Sequence, residues 1–74
     1  MPARLGRVLR VLKKYGINED RNGGKGSHRM LRDENGRAYT IPAGNGTKTE
    51  ISDVYLRGLC RTFELDYDQV KSEL

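Results

Sequence analysis

The Asn35-Gly36 pair, in the middle of residues 26–42, most constrains how this chain can fold. A two-residue type I′ turn requires positive φ at both central residues, and Asn-Gly is the pair that meets this requirement best. The flanking sequences, Arg-Met-Leu-Arg and Ala-Tyr-Thr-Ile, are long enough and apolar enough to form two strands. The segment therefore predicts a β-hairpin with Gly26-Ser27-His28 at its entry.

The length of this turn decides which side chains share a face of the hairpin. A two-residue turn pairs Met30 with Ile41 and His28 with Ala43, and side chains alternate between the faces. A longer turn that starts at Asp33 would shift this register. With the two-residue turn, one face carries His28, Met30, Arg32, Tyr39 and Ile41, and the other carries Ser27, Arg29, Leu31, Ala38, Thr40 and Pro42.

Apolar residues at helical spacing predict helices on both sides of the hairpin. The first helix covers about residues 3–15, with Gly16 as a left-handed residue at its end. Ser52 is a good N-cap for a second helix over about 52–63, in which Cys60 lies on the apolar stripe. Asp66, with a glutamine three residues later, predicts a capping box that begins a short last helix over about 67–73.

The segments between these elements carry weaker signals. Residues 17–22 predict at most a frayed edge strand, because Glu19 and Asp20 are poor strand formers. Residues 22–26 predict a glycine-rich turn, and residues 43–50 predict a flexible loop. The order α-β-β-β-α with a short extra C-terminal helix predicts an α+β fold: a three-stranded antiparallel sheet with helices packed on one face.

Composition limits the kind of protein further. Seventy-four residues make one small domain, residues 1–74. The single cysteine and single histidine exclude an internal disulfide and the usual zinc cluster. The sequence has neither a transmembrane run nor the apolar region of a signal peptide, so we expect a soluble, cytoplasmic protein.

The net charge of +4 is placed unevenly along the chain. Basic residues outnumber acidic ones by six in residues 1–50, whereas acidic residues outnumber basic ones by two in residues 51–74. This imbalance suggests a surface that faces a polyanion. Ordinary solubilising charge is the other interpretation.

Several of these features together resemble one known family. Gly26-Ser27-His28, the Asn35-Gly36 turn and Thr40-Ile41-Pro42 are similar to the HicA (YcfA-like) mRNA interferase toxins of HicAB toxin–antitoxin systems. The resemblance continues through Tyr55-Leu56-Arg57-Gly58-Leu59-Cys60 and Leu65-Asp66, and it covers roughly residues 5–74.

The resemblance implies a double-stranded-RNA-binding-domain-like fold and a metal-independent endoribonuclease that cleaves mRNA. It implies that His28 is the catalytic histidine and that Gly26 and Ser27 belong to the same motif. It also implies a HicB-type antitoxin protein as partner, with no cofactor and no membrane association. Many family members carry a second histidine shortly after the proline, where this chain has Ala43-Gly44.

The residues themselves are compatible with this chemistry. RNA supplies its own nucleophile, the 2′-hydroxyl, and an imidazole with an ordinary pKa of roughly 6.5 can take or give a proton near neutral pH. Positive side chains would stabilise the charge that develops on the phosphate. The candidate substrate-binding residues are Lys25, Gly26, Ser27, Arg29, Arg32 and Lys48.

Other interpretations of the same residues remain open. His28 could be a packed histidine at the margin of the sheet, since the two-residue turn places it on the face of Met30 and Ile41. The domain could hold RNA without cutting it, which would explain the missing second histidine. Its basic surface could also serve only to dock an acidic protein.

Overall fold

The computed structural model describes residues 3–20 and 27–74 as an α+β fold. A three-stranded antiparallel sheet has the order β2-β3-β4, and a separate two-stranded ladder joins β1 to β5. The elements are β1 (Ala3–Arg4), α1 (Leu5–Lys13), β2 (Asn18–Asp20), β3 (His28–Arg32), β4 (Ala38–Pro42), a 3-10 helix (Gly46–Lys48), β5 (Glu50–Ile51), α2 (Asp53–Thr62) and α3 (Tyr67–Glu73).

The turn between β3 and β4 is longer than the Asn-Gly pair predicts. The amide of Asp33 donates to the carbonyl of Arg37 at 3.0 Å, and the amide of Gly36 donates to the carbonyl of Asp33 at 3.2 Å. Gly36 has a φ of +83°, whereas Asn35 does not adopt positive φ. The Asp33 carboxylate accepts hydrogen bonds from the amides of Asn35 and Arg37, at 3.0 and 2.8 Å, and so begins the turn two residues earlier.

This longer turn shifts the register by one residue, so the predicted pairing of Met30 with Ile41 is wrong. Met30 lies opposite Thr40, Arg29 opposite Ile41, and His28 opposite Pro42 rather than Ala43. Leu31 and Ile41 are fully buried. His28 is exposed and lies on the other face, so it does not share a face with Ile41 as predicted.

Helix α1 begins two residues later than predicted because the residues before it form a strand. Ala3 pairs with Ile51, and Arg4 pairs with Glu50. The predicted left-handed end of the helix is confirmed, with a φ of +77° at Gly16. The chain therefore turns directly from α1 into β2.

The apolar stripes of α1 and α2 meet the buried face of the sheet in one core. Both helices therefore lie on the face that carries Leu31 and Ile41. Cys60 is buried beside Val11 and Val70, and burial raises the pKa of its thiol, as expected for a structural cysteine. The main core consists of Leu5, Val8, Leu12, Ile17, Leu31, Ile41, Ala43, Ile51, Leu56, Leu59 and Phe63.

Strand β2 forms at the predicted edge of the sheet despite its polar composition. Glu19 bonds Arg29 and Asp20 bonds Arg32, each at 2.9 Å and each across the β2–β3 pair. These cross-strand ion pairs make carboxylates compatible with this position. The remaining residues of the predicted 17–22 strand, Arg21 and Asn22, lie outside the described residues.

The segment predicted as a flexible loop, residues 43–50, contains regular structure instead. It includes the 3-10 helix Gly46–Lys48 and the first residue of β5. A side chain at Gly6 would lie 3.2 Å from Cβ of Thr47, so the 3-10 helix packs closely on the start of α1. Glycine at position 6 permits this contact.

Helix α3 is held at both ends. The Asp66 carboxylate caps it by accepting hydrogen bonds from the amides of Asp68 and Gln69, at 2.9 and 3.2 Å. The reciprocal half of the predicted capping box is absent from the described contacts, because the Gln69 side chain bonds Glu73 at 3.4 Å. Glu73 also accepts a hydrogen bond from the Tyr15 hydroxyl, which ties α3 to the end of α1.

Replacing Gly58 with alanine is expected to destabilise the protein, although alanine favours helices. A Cβ at position 58 would lie 2.9 Å from Cζ of Tyr39 and still closer to its hydroxyl oxygen. Overpacking costs about 1–3 kcal/mol, against a gain in helix propensity of about 1 kcal/mol. We expect a net loss of up to about 2 kcal/mol in the free energy of unfolding, measured by urea denaturation. The same substitution in a Tyr39→Phe background should cost less, and an equal cost in both backgrounds would contradict this packing.

Low pH is expected to weaken the contact between α2 and α3, because it protonates the Asp53 carboxylate. Hydrogen bonds from Tyr67 and then Arg57 lower the pKa of the Asp53 carboxyl to about 2. Because this value lies below the ordinary pKa of about 3.9, the stabilisation is complete above pH 4 and is lost as the pH falls toward 2. Denaturation midpoints measured across this interval should therefore depend less on pH in Asp53→Asn than in the parent. The control is Asp68→Asn, and an unchanged slope in Asp53→Asn would refute the prediction.

Candidate functional site

His28, the single histidine of the chain, begins β3 and is exposed. It shares its face of the sheet with the alternate residues Met30 and Arg32, away from the apolar core. The interpretation of His28 as a packed histidine among Met30 and Ile41 depended on the shorter turn and fails with it. The imidazole is therefore accessible to a ligand.

Ser27 lies directly beside this imidazole. The Ser27 hydroxyl oxygen is 3.3 Å from Nδ1 of His28, within hydrogen-bond reach. A hydroxyl can accept a hydrogen bond from Nδ1–H or donate one to an unprotonated Nδ1, so Ser27 matches either protonation state of the ring. Among the described residues Nε2 has no hydrogen-bond partner, so this nitrogen is the one free to exchange a proton with a ligand.

The backbone of Ser27 is held by the segment that follows β4. Its carbonyl accepts a hydrogen bond from the amide of Ala43 at 2.5 Å. A side chain at Gly44 would approach Cβ of Ser27 to 3.9 Å, so these two residues are neighbours. Ala43-Gly44 therefore lies next to Ser27, the residue that precedes His28.

Arg29 follows His28 in the strand but lies on the opposite face. Its guanidinium bonds Glu19 at 2.9 Å, and both side chains are partly buried. The structure therefore does not bring this guanidinium together with the imidazole. The observed position agrees with the expected alternation of the two residues.

Arg32 lies at the far end of β3 from His28. Four residues of strand separate the two by about 13 Å along the chain, at 3.3 Å per residue. Its guanidinium bonds Asp20 at 2.9 Å, the carbonyl of Gly36 at 3.2 Å and the sulfur of Met30 at 3.3 Å. These contacts direct it toward the turn, away from the histidine.

The other predicted substrate contacts fall in two groups. Lys48 ends the 3-10 helix, is exposed and forms no ion pair within the described part of the chain. Lys25 and Gly26 lie outside the described residues. Ser27 is thus the one predicted contact that the structure places directly against the imidazole.

The described residues offer no site for a metal ion. Among residues 3–20 and 27–74, histidine, cysteine and carboxylate side chains form no group of three or more that could act as ligands. Three carboxylates near the sheet, those of Glu19, Asp20 and Asp33, are bonded to arginines. None of the described helices has the length and apolar character needed to cross a membrane.

Fold and site together define a small α+β domain with a three-stranded antiparallel sheet and one exposed histidine on its outer face. Comparisons with models of known protein families and with curated proteins found no match to this chain. Any assignment of function therefore rests on the residues and their geometry.

Sequence reasoning missed the contact between Ser27 and the segment after β4. The predicted register placed His28 opposite Ala43. In the structure, Ser27 bonds Ala43 and His28 lies opposite Pro42. One aspartate, Asp33, carried the missing information. Asp33 begins the turn, and its position three residues before Gly36 is typical of a type I turn followed by a left-handed glycine.

Proposed function

We propose that this protein is a metal-independent endoribonuclease of the HicA type, with a double-stranded-RNA-binding-domain-like fold. The observation that carries the proposal is the position of His28: exposed on the outer face of the sheet, with the Ser27 hydroxyl 3.3 Å from Nδ1. An imidazole held at one nitrogen and open at the other is arranged for general acid–base chemistry. The substrate class is mRNA.

The proposed reaction uses the 2′-hydroxyl of RNA as nucleophile. Nε2 of His28 accepts the proton of the 2′-hydroxyl while the 2′-oxygen forms a bond to the adjacent phosphorus. The bond from phosphorus to the 5′-oxygen breaks, and water protonates the leaving oxygen. The products are a 2′,3′-cyclic phosphate and a 5′-hydroxyl, and the imidazolium returns its proton to solvent.

The Ser27 hydroxyl supports this role by holding the ring. When Nε2 acts as base, Nδ1 must carry the proton, and the serine oxygen can accept a hydrogen bond from Nδ1–H. Among the basic residues near the hairpin, Arg29 and Arg32 are engaged in ion pairs. Lys48 is the described candidate that is free to stabilise the phosphate.

A toxin of this type would act in the cytoplasm and would be silenced by a HicB-type antitoxin. The exposed face around His28 is open to such a protein, and an insert that covers the imidazole would block the reaction. An excess of six basic residues in residues 1–50 favours an acidic or otherwise complementary partner surface. Co-purification of this chain with a co-encoded acidic protein would support this part of the proposal.

A non-catalytic RNA-binding domain is the second candidate, and one observation favours it. Ala43-Gly44 occupies the place beside Ser27 where a second histidine would complete an acid–base pair. With one histidine in the whole chain, only one of the two proton transfers can use an imidazole. Such a domain would bind RNA in a salt-dependent manner without turnover.

The experiment that tests the proposal is cleavage of an RNA oligonucleotide by the purified protein in EDTA. A DNA oligonucleotide of the same sequence is the matched control, because it lacks the 2′-hydroxyl. Cleavage of RNA but not of DNA is the expected result. Cleavage of both would contradict attack by the 2′-oxygen, and binding of RNA without cleavage would favour the second candidate.

A further inference from the structure

The basic residues without ion pairs are concentrated on one part of the molecule. Six of the described lysines and arginines form ion pairs with carboxylates, and the other six do not. Five of the unpaired ones lie on β1, on α1 or on the 3-10 helix that packs against α1, and their charge is not neutralised locally. The unpaired residues are Arg4, Arg7, Arg10, Lys13, Lys48 and Arg61.

Two of these cations, Arg10 and Lys13, line a groove of about 440 Å³ between α1 and β2. Leu9, which is partly exposed, contributes apolar surface to the groove. Glu19 also lines it, but its charge is compensated by the bond to Arg29. The groove therefore combines positive charge with apolar surface.

The loop after β4 connects this groove to the histidine site. At one end of the loop, the amide of Ala43 bonds the carbonyl of Ser27. At the other end, Thr47 packs on Gly6, which is also part of the groove lining. Lys48, exposed and unpaired, follows Thr47 in the 3-10 helix. The loop therefore joins a residue adjacent to His28 with a residue that packs on the groove lining.

We propose that a single strand of RNA bound at His28 continues along the 3-10 helix into this groove, where Arg10 and Lys13 contact successive phosphates. Residues three apart on a helix have Cβ atoms about 5–6 Å apart, so two cations with this spacing suit neighbouring phosphates of one strand. The partly exposed apolar surface of Leu9 lies beside them, where it can contact a base or sugar. The inference rests on the proposed function, because it takes RNA as the ligand.

The same helix offers a matched control pair. Arg7 and Lys14 carry the same charge as Arg10 and Lys13, but they face α3 and bond Glu73, at 3.1 and 3.4 Å. Neutralising either pair removes two positive charges from α1. If RNA binds in the groove, neutralising Arg10 and Lys13 should weaken its binding far more than neutralising the control pair.

The test measures binding of a fluorescent single-stranded RNA of about 16 nucleotides by anisotropy, between about 50 and 200 mM salt. The protein carries His28→Ala to prevent cleavage. Each phosphate contact contributes about 0.7 to the salt slope, so Arg10→Gln with Lys13→Gln should lower the slope by about 1.4. At about 0.1 M salt, the loss of these two contacts should increase Kd about 25-fold. Arg7→Gln with Lys14→Gln should change Kd much less.

Other results would contradict RNA binding in the groove. Equal losses of affinity for the two pairs would indicate attraction by a diffuse positive field instead, and no loss for either pair would show that neither pair contacts the RNA. Competition by polyglutamate as effective as competition by unlabelled RNA would assign the groove to an acidic protein segment instead. If the parent protein itself binds no RNA, the proposed function fails together with this inference, whereas failure of the groove variant alone leaves the function intact.

Discussion

Replacing His28 with alanine is expected to lower the rate of RNA cleavage in EDTA by about 10²–10⁴-fold, the usual contribution of one general acid or base. RNA affinity should change little, because one exposed imidazole contributes little to phosphate binding. The structure also predicts that the variant remains folded, since the side chain is exposed and lies outside the core. Single-turnover cleavage and RNA anisotropy on the same preparations would measure both quantities.

Thr40→Ala is the matched control for this substitution. Thr40 is exposed, lies on the neighbouring strand and faces the same side of the sheet as His28 and Met30. We expect the control to retain cleavage within a few-fold of the parent. Cleavage by His28→Ala at the rate of the parent would assign the reaction to another residue or to a contaminating nuclease.

Replacing Leu31 with alanine is expected to cost about 2–5 kcal/mol in the free energy of unfolding, enough to unfold much of the protein. Leu31 is fully buried in the core between the sheet and the helices. Met30→Ala should cost less than half as much, because Met30 lies on the other face and is partly exposed. Urea denaturation of both variants, followed by circular dichroism, measures the difference.

This pair of substitutions tests the register of the hairpin. A two-residue turn would place Met30 beside Ile41 in the core and would leave Leu31 with Thr40 on the other face. A larger cost for Met30→Ala than for Leu31→Ala would therefore contradict the observed register. It would also return His28 to the apolar side of the sheet and remove the basis for an accessible imidazole.

The helices could be predicted from sequence because local signals determine them, although Ser52 precedes α2 without the side-chain hydrogen bond of an N-cap. The left-handed Gly16, the cap at Asp66 and the buried Cys60 are all confirmed. The short β1–β5 ladder could not be predicted, because two-residue strands carry no periodicity. Its existence depends on long-range pairing, which moves the start of α1 from the predicted residue 3 to Leu5.

The hairpin was predicted correctly, but its turn was not. Asn35-Gly36 is a strong signal for a two-residue turn, yet the side chain of Asp33 bonds two backbone amides of the turn. Burial raises the pKa of Asp33, but hydrogen bonds from the side chain and backbone of Arg37 outweigh it and hold the pKa below its usual range. The hydrogen bonds of the longer turn therefore stabilise the charged form of this carboxyl.

The candidate site was predictable in its central residue and much less so in its surroundings. His28 and Ser27 are adjacent in sequence, so their contact needs no tertiary information. Ion pairs decide which arginines remain available, and those pairs depend on the register of β2, whose polar sequence gave little signal. The groove at Arg10 and Lys13 depends in the same way on how closely α1 approaches β2.

In the proposed reaction, cleavage proceeds through the 2′-oxygen of RNA with His28 as the proton acceptor. The chemistry of the product ends after cleavage of a defined RNA in EDTA distinguishes this route from attack by water. We expect a 2′,3′-cyclic phosphate on one fragment and a 5′-hydroxyl on the other, and neither product with His28→Ala. Fragments that end in a 3′-hydroxyl and a 5′-phosphate would show that water attacked the phosphorus, and they would contradict the proposed reaction.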